Sequence, residues 1–278
     1  MYKTSDELRK LQLKCLEILE VVDWICRRNN IQYSLCGGSV VGAYLYQGFI
    51  PWDDDIDLMM TRENYERFIV ACRKELPAKY KLQNYKTEKI YHTLFSKVVD
   101  TDTTLVQYDN NGKEVVNGVF LDITVYDKVP QNCIKKIDFA ISNFAQKLIY
   151  CDVNAGKGLK KRILSLFGNH CSCIYILCEK IFCVLGKIGD YSYCELFGAF
   201  CTNKLYKKSI FEEYAEIGFE NKKFMIVKDY VDYLECRYER TNFYEPESRQ
   251  VPPHYAYVDL MNSYKEYQRK QNENSICK

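Results

Sequence analysis

The sequence predicts an α+β fold, in which a mixed β-sheet flanked by helices precedes a mostly helical half. Apolar residues recur at helical spacing over residues 8–26, and short alternating or apolar runs typical of strands occupy much of 32–125. After residue 130 the periodicity becomes helical. We therefore expect residues 1–130 to form the sheet-containing core and residues 131–278 a helical extension.

The elements follow from local signals in chain order. Thr4-x-x-Glu7 is typical of a capping box and opens a helix to about Arg28. A short strand over 32–36 leads into a glycine pair and a helix over 40–46, and Thr61 is expected to cap a helix that ends near residue 76. Further strands are predicted at 80–85, 93–99, 103–107 and 118–125, and helical periodicity at 131–151, 159–188, 191–207 and 224–238.

Composition excludes several classes of protein. The 278 residues carry 39 Lys and Arg against 37 Asp and Glu, a net charge of +2, which is too small for a protein that coats nucleic acid. The charged N-terminus lacks the apolar core of a signal peptide. Most of the 14 cysteines have apolar neighbours, as buried thiols do, so we expect a reducing, cytoplasmic location.

Three aspartates form the predicted chemical centre. Side chains alternate along a strand, so Asp55 and Asp57 are expected on one face, and Asp122 interrupts a later apolar strand. Carboxylates clustered in this way repel one another unless a cation binds between them, and oxygen ligands suit Mg²⁺ or Mn²⁺. Simpler interpretations are a solvated turn at residues 53–55 and a salt-bridged edge residue at 122. The metal-site hypothesis requires that Asp122 lie near the other two and that none has a permanent Lys or Arg partner.

A glycine pair precedes this acidic segment. Gly37-Gly38-Ser39 falls between a predicted strand and a predicted helix, where backbone N–H groups and a helix N-terminus favour an anion. A simple tight turn is the alternative. A phosphate cradle followed by a divalent-metal site is typical of enzymes that transfer phosphoryl or nucleotidyl groups.

Two blocks of sequence resemble the LicD family of phosphocholine transferases, which are related to the fukutin group. The first comprises Cys36-Gly37-Gly38-Ser39-Val40-Val41-Gly42-Ala43 and Gly48-Phe49-Ile50-Pro51-Trp52-Asp53-Asp54-Asp55-Ile56-Asp57-Leu58. The second is Phe120-Leu121-Asp122-Ile123 with Asp127-x-Val129-Pro130. The resemblance implies a nucleotidyltransferase-like core, with Asp55, Asp57 and Asp122 as catalytic and metal-binding residues.

The resemblance also implies a reaction. A CDP-activated donor such as CDP-choline is expected to give its phosphorylated alcohol to a sugar hydroxyl of a bacterial surface glycan, a lipopolysaccharide or a teichoic acid. Gly37, Gly38 and Ser39 would hold the donor phosphates. The acceptor, lipid-linked in one version of this hypothesis, would place the protein at the inner face of the membrane.

Three further residues are candidate substrate contacts. Lys97 lies between the two acidic blocks and is expected either to reach a donor phosphate or to extend along the surface. Arg249 and His254 occupy positions similar to weaker family motifs. Trp52 is expected either to contact a quaternary ammonium or to pack internally.

Two other segments leave alternatives open. The cysteines between Cys171 and Cys183, with His170, either bind zinc or are buried thiols, and the absence of Cys-x-x-Cys spacing favours thiols. The basic residues Lys157, Lys160, Lys161 and Arg162 either contact an anionic membrane or form a solvated helix end.

Two functions compete with phosphocholine transfer. A nucleotidyltransferase would add NMP from an NTP to a small molecule or protein and release pyrophosphate. A non-catalytic glycan- or nucleotide-binding protein would retain the fold alone, although clustered carboxylates bring no advantage to such a protein.

Overall fold

The computed structural model describes residues 5–88, 91, 93–108, 112–153, 172–198, 203–240, 242–243 and 254–276. Within these ranges the helices are α1 (Asp6–Arg28), α2 (Gly37–Tyr46), α3 (Arg62–Glu75), α4 (Lys135–Val153), α5 (Ser172–Leu185), α6 (Tyr230–Tyr238) and α7 (Tyr264–Ile276). The strands are β1 (Ser34–Leu35), β2 (Asp57–Thr61), β3 (Tyr80–Gln83), β4 (Ser96–Asp100), β5 (Thr104–Tyr108), β6 (Glu114–Asn117), β7 (Phe120–Pro130), β8 (Tyr191–Cys194), β9 (Tyr214–Phe219), β10 (Lys222–Val227) and β11 (Tyr255–Asp259).

The central sheet is mixed, as predicted. Its strand order is β1-β2-β7-β4-β3, and β8 pairs with the far end of β7. Strands β2 and β7 are parallel and the other pairs are antiparallel. The three-stranded sheet β11-β5-β6 and the hairpin β9-β10 lie outside this sheet. The α+β class is therefore confirmed.

Helix α1 begins one residue later than the predicted capping box. The Ser5 hydroxyl accepts a hydrogen bond from the Leu8 N–H at 3.1 Å, so Ser5 is the N-cap. Two acidic residues lie in the first turn and Arg27 and Arg28 in the last, where each charge is favourable to the helix dipole. The apolar face of α1 is buried in the main core. The apolar spacing of the sequence therefore predicted the course of this helix to residue 28 correctly.

Two predicted helical segments of the second half contain strands. Tyr191–Cys194 forms β8, and Lys222–Val227 forms β10, which pairs with β9 through a two-residue turn. Both segments are rich in aromatic or β-branched residues, and each gains a partner strand that periodicity within one segment does not reveal. The helices at 135–153 and 230–238 agree with the predicted ones, and the described part of the 159–188 segment is α5. The second half is thus a mixture of helices and strands.

The main core contains residues from both sides of position 130. Tyr126 of β7 packs edge-to-face on Tyr206, and Phe219 and Phe224 belong to the same buried cluster as helix α1. A second cluster joins α4 and α5 to the end of β7 at Val129. The division into domains 1–130 and 131–278 stays a prediction.

Candidate active site

Two carboxylates face each other across the parallel strand pair. Asp57 opens β2, and its register partner on β7 is Asp122. The Asp122 N–H also donates a hydrogen bond to the Ile56 carbonyl at 3.0 Å. Paired positions of parallel strands present their side chains on one face of the sheet, so the structure brings these two carboxylates together.

The remaining acidic residues lie in the loop that leads into β2. Asp55 precedes the strand rather than belonging to it, and its pKa is raised well above the ordinary value by burial and by Asp57, Asp53, Asp54 and Asp122. Burial, followed by the charge of Asp122, raises the pKa of Asp57 to about 7. Asp54 is buried, which argues against a simple solvated turn. Such mutual repulsion is what a bound cation would relieve.

The glycine pair lies next to the acidic loop, which comprises residues 53–56 and leads into β2. Helix α2 begins at Gly37, whose φ of +54° is in the left-handed region that favours glycine. A Cβ at Gly38 would lie 3.0 Å from Asp53 Oδ2, so a side chain there would crowd the carboxylate. The Ser39 hydroxyl accepts a hydrogen bond from the Asp57 N–H at 2.9 Å. Ser39 therefore fixes the start of β2 against the start of α2.

Two backbone donors of the predicted phosphate cradle already have partners. The Gly37 N–H donates to Tyr233 Oη at 3.1 Å, and the Ser39 N–H donates to the Cys36 carbonyl at 3.0 Å. Phosphate binding by Gly37, Gly38 and Ser39 stays a prediction. In this arrangement a phosphate would need side-chain donors as well.

Lys97 lies against Asp122. The two residues are register partners on β4 and β7, and Lys97 Nζ is 2.6 Å from Asp122 Oδ1. This ion pair is the arrangement that counts against Asp122 as a metal ligand, and the contact of Lys97 with a donor phosphate stays a prediction. The pair is still 13–14% exposed, and burial raises the pKa of Asp122 despite the ammonium. Strand β7 lies between β2 and β4, so Asp122 is not an edge residue. Its roles as third ligand and as base stay predictions.

His254 binds the acidic loop from the other end of the chain. Its backbone N–H donates to Asp54 Oδ2 at 2.9 Å, and its Nδ1 lies 2.9 Å from Asp54 Oδ1. The hydrogen bond to Asp54 raises the pKa of His254. Within the described ranges, Asp54, Asp55 and His254 form a group whose ligand atoms lie within 4.8 Å of one another. This group differs from the predicted trio. Arg249, the neighbouring predicted contact, lies outside the described residues.

Arg237 is a cation at the site that the sequence analysis did not single out. It lies in the last turn of α6. A Cβ built on Gly37 would lie 3.4 Å from Arg237 Nε, 3.5 Å from Arg237 Nη2 and 3.6 Å from Asp57 Oδ2. Glu195 Oε2 accepts from Arg237 Nη1 at 3.0 Å and orients the guanidinium. The signal available in the sequence was weak, because Arg237 merely adjoins the family-like Tyr238.

The structure describes two of the other sequence candidates, Trp52 and the cysteines of α5. Trp52 packs edge-on against Tyr46 with ring centroids 6.2 Å apart. In α5, Cys178 is buried while Cys173 and Cys183 are exposed, and none of them belongs to the three-residue group just described. His170, Cys171 and the basic residues Lys157, Lys160, Lys161 and Arg162 lie outside the described residues.

Comparison with known proteins matches the part of the chain that carries the glycine pair and the acidic residues of the site. Residues 30–148 match the family model "LicD/FKTN/FKRP, nucleotidyltransferase domain". The chain is 39% identical over 124 residues to the lipopolysaccharide cholinephosphotransferase LicD of Haemophilus influenzae, a match that covers 44% of this chain and 45% of that protein. It is 30% identical over 92 residues to an uncharacterized protein of Rickettsia typhi, which covers 32% of this chain and 27% of that protein. The resemblance to the LicD family is confirmed, and the chain spans less than half the length of each of these relatives.

Proposed function

We propose that this chain, whose residues 30–148 carry the LicD-type domain, is a transferase of phosphocholine or a similar phosphorylated alcohol. The donor is a CDP-activated alcohol such as CDP-choline, and the acceptor is a sugar hydroxyl of a bacterial cell-surface glycan. The similarity to a lipopolysaccharide cholinephosphotransferase supports the group transferred. The observation that carries the proposal is the register of Asp57 with Asp122 beside the Gly37 turn.

The acidic residues fit a divalent metal ion. The pKa values of Asp55 and Asp57 are raised by burial and by neighbouring carboxylates, and oxygen donors are the ligands that Mg²⁺ and Mn²⁺ prefer. Asp55 and Asp57 would hold the ion, and Asp122 would be the third carboxylate once Lys97, which pairs with it at 2.6 Å, contacts a donor phosphate instead. A bound Mg²⁺ or Mn²⁺ supplies positive charge that offsets the negative charge developing on the phosphoryl oxygens.

The protein's own groups then orient the transfer. Arg237 faces the space between Gly37 and Asp57 and is suited to a donor phosphate oxygen. The acceptor hydroxyl oxygen attacks phosphorus, its bond to phosphorus forms as the bond to the CMP oxygen breaks, and Asp122 accepts the hydroxyl proton. Lys97 would release the Asp122 carboxylate when its ammonium group moves to a donor phosphate.

We further propose a division of labour along the chain. Residues 1–130 are the nucleotidyltransferase-like catalytic core, and residues 131–278 shape the acceptor side. The protein acts in the cytoplasm, at the inner face of the membrane where a lipid-linked acceptor is accessible. In the described residues no helix has the length and apolar character that crossing a bilayer requires.

The test is a donor panel. Purified protein is incubated with CDP-choline, other CDP-alcohols and each NTP, with Mg²⁺ or Mn²⁺, together with a cell-surface glycan extract as acceptor. Metal-dependent release of CMP with choline phosphate on the glycan is expected. Pyrophosphate release from an NTP would instead establish nucleotidyl transfer. Binding of CDP-choline without any turnover would indicate a non-catalytic binding protein.

A further inference from the structure

Helices α4 and α5 present apolar side chains to solvent. Both helices contact each other and β7, and their inward sides form the second core cluster with Val129. On the outward side, Phe144 of α4 is 50% exposed, and Leu177 and Val184 of α5 are 57% and 62% exposed. Leu177 and Val184 are seven residues apart, so they lie on one side of α5. Ile137 repeats this spacing with Phe144 on α4 and is also half-exposed.

The charges on these two helices are segregated. Lys136, Lys147 and Lys180 are exposed, as is Lys187 directly after α5. The acidic side chains described on α4 and α5 are Asp138 and Glu179, and both are buried. Glu179 is moreover neutralised by Arg62 at 2.5 Å and by Lys86 at 2.6 Å. Within α4 and α5 the outward side therefore combines exposed apolar groups with positive charge and has no exposed acid among its described side chains, and beyond α5 the exposed Lys187 is followed by the exposed Asp190.

We propose that this outward side of α4 and α5 binds the surface of an anionic lipid bilayer. Long lysine side chains keep their ammonium groups at phosphate level while apolar neighbours enter the boundary of the acyl chains. Each lysine near such a surface adds attraction that salt weakens. A protein partner fits less well, because lysine is depleted in protein interfaces. The inference involves none of the groups assigned to the transfer reaction and does not depend on that reaction.

The experiment is sedimentation of the full chain with vesicles. Vesicles of equal parts phosphatidylcholine and phosphatidylglycerol are compared with vesicles of phosphatidylcholine alone. Binding is expected to the anionic vesicles only and to weaken with added salt. The double variant Lys180→Glu with Lys187→Glu should lower the affinity for anionic vesicles roughly 30-fold or more, because each lysine lost near the surface costs about fivefold in affinity. Phe144→Ser with Val184→Ser should also weaken binding. The binding that remains should come from the lysines and should be abolished by added salt.

A matched control reverses the same number of charges elsewhere. Lys10→Glu with Lys270→Glu changes two exposed lysines of α1 and α7 and should leave vesicle binding almost unchanged. Circular dichroism verifies that every variant is folded. The proposal is wrong if the wild-type chain does not bind anionic vesicles, or if the control variant loses as much binding as Lys180→Glu with Lys187→Glu. It is also wrong if Phe144→Ser with Val184→Ser dissociates a dimer of this chain instead.

Discussion

Asp57 and Asp122 are register partners on the parallel strands β2 and β7, although 64 residues separate them along the chain. Their carboxylates therefore share one face of the sheet, and each raises the energy of ionising its neighbours. Burial, followed by the charge of Asp122 that this register places beside Asp57, raises the pKa of Asp57 to about 7.

Asp57→Asn should abolish transfer while leaving the protein folded. The amide keeps the size of the side chain but removes a negatively charged metal ligand, and the lost repulsion should raise the melting temperature of the metal-free protein. CMP release from CDP-choline and thermal unfolding are the two measurements. Asp102→Asn, in the exposed turn before β5, is the matched control. Near-normal CMP release by Asp57→Asn would rule out the proposed metal site.

Arg237→Gln should weaken donor binding. Loss of a charge-assisted hydrogen bond to a phosphate oxygen corresponds to roughly 10- to 100-fold in KM for CDP-choline, and Arg237→Lys should restore only part of it. Steady-state kinetics with varied donor gives KM and kcat separately. Arg27→Gln, which loses an exposed ion pair to Asp23 and Glu216, should leave KM unchanged. An unaltered donor KM in a folded Arg237→Gln variant would contradict the role assigned to this residue.

Lys97→Met should tighten divalent-metal binding severalfold or more. The change removes a positive charge 2.6 Å from Asp122 and leaves that carboxylate free for an ion. Calorimetric titration with Mn²⁺ measures the affinity. Lys128→Met provides the comparison, since this residue pairs with the exposed Glu63 at 3.1 Å. If both variants bind Mn²⁺ as the wild type does, Asp122 is not part of the metal site.

Asp138 should make the protein less stable at alkaline pH. Both of its carboxylate oxygens are buried without a hydrogen-bond partner in the described structure, and burial, followed by the charge of Asp127, raises its pKa to about 7. Because this value lies above the unfolded one of 3.8, its stabilising contribution is complete below about pH 4 and is lost as pH rises through 7.

Asp138→Asn should therefore reduce the fall in the free energy of unfolding between pH 5.5 and 8, by roughly 1–3 kcal/mol. Urea unfolding at the two pH values measures it. The acidic loop titrates with the same sign, so the informative quantity is the difference between variant and wild type. Asp190→Asn, on the exposed surface, should give no such difference. An identical pH dependence in Asp138→Asn and wild type would show that Asp138 ionises without cost.

The sequence alone determined the local features. The course of α1, the glycine turn at Gly37, the acidic run into β2 and the strand that carries Asp122 were all predictable, because each leaves a pattern of apolar spacing or turn residues within a few positions. The LicD resemblance rested on the same short blocks. Local patterns failed at β8 and β10, where pairing with another strand decides between helix and strand.

Only the tertiary structure decided which charged groups meet. The pairing of Lys97 with Asp122, of His254 with Asp54 and of Arg237 with the Gly37 turn joins residues that lie on different elements, in two cases 200 positions apart. Such contacts depend on strand register and on how helices pack over the sheet, and neither is encoded in the spacing of neighbouring residues. The sequence therefore predicted which acidic residues belong to the site, whereas the tertiary structure determined which residues they contact.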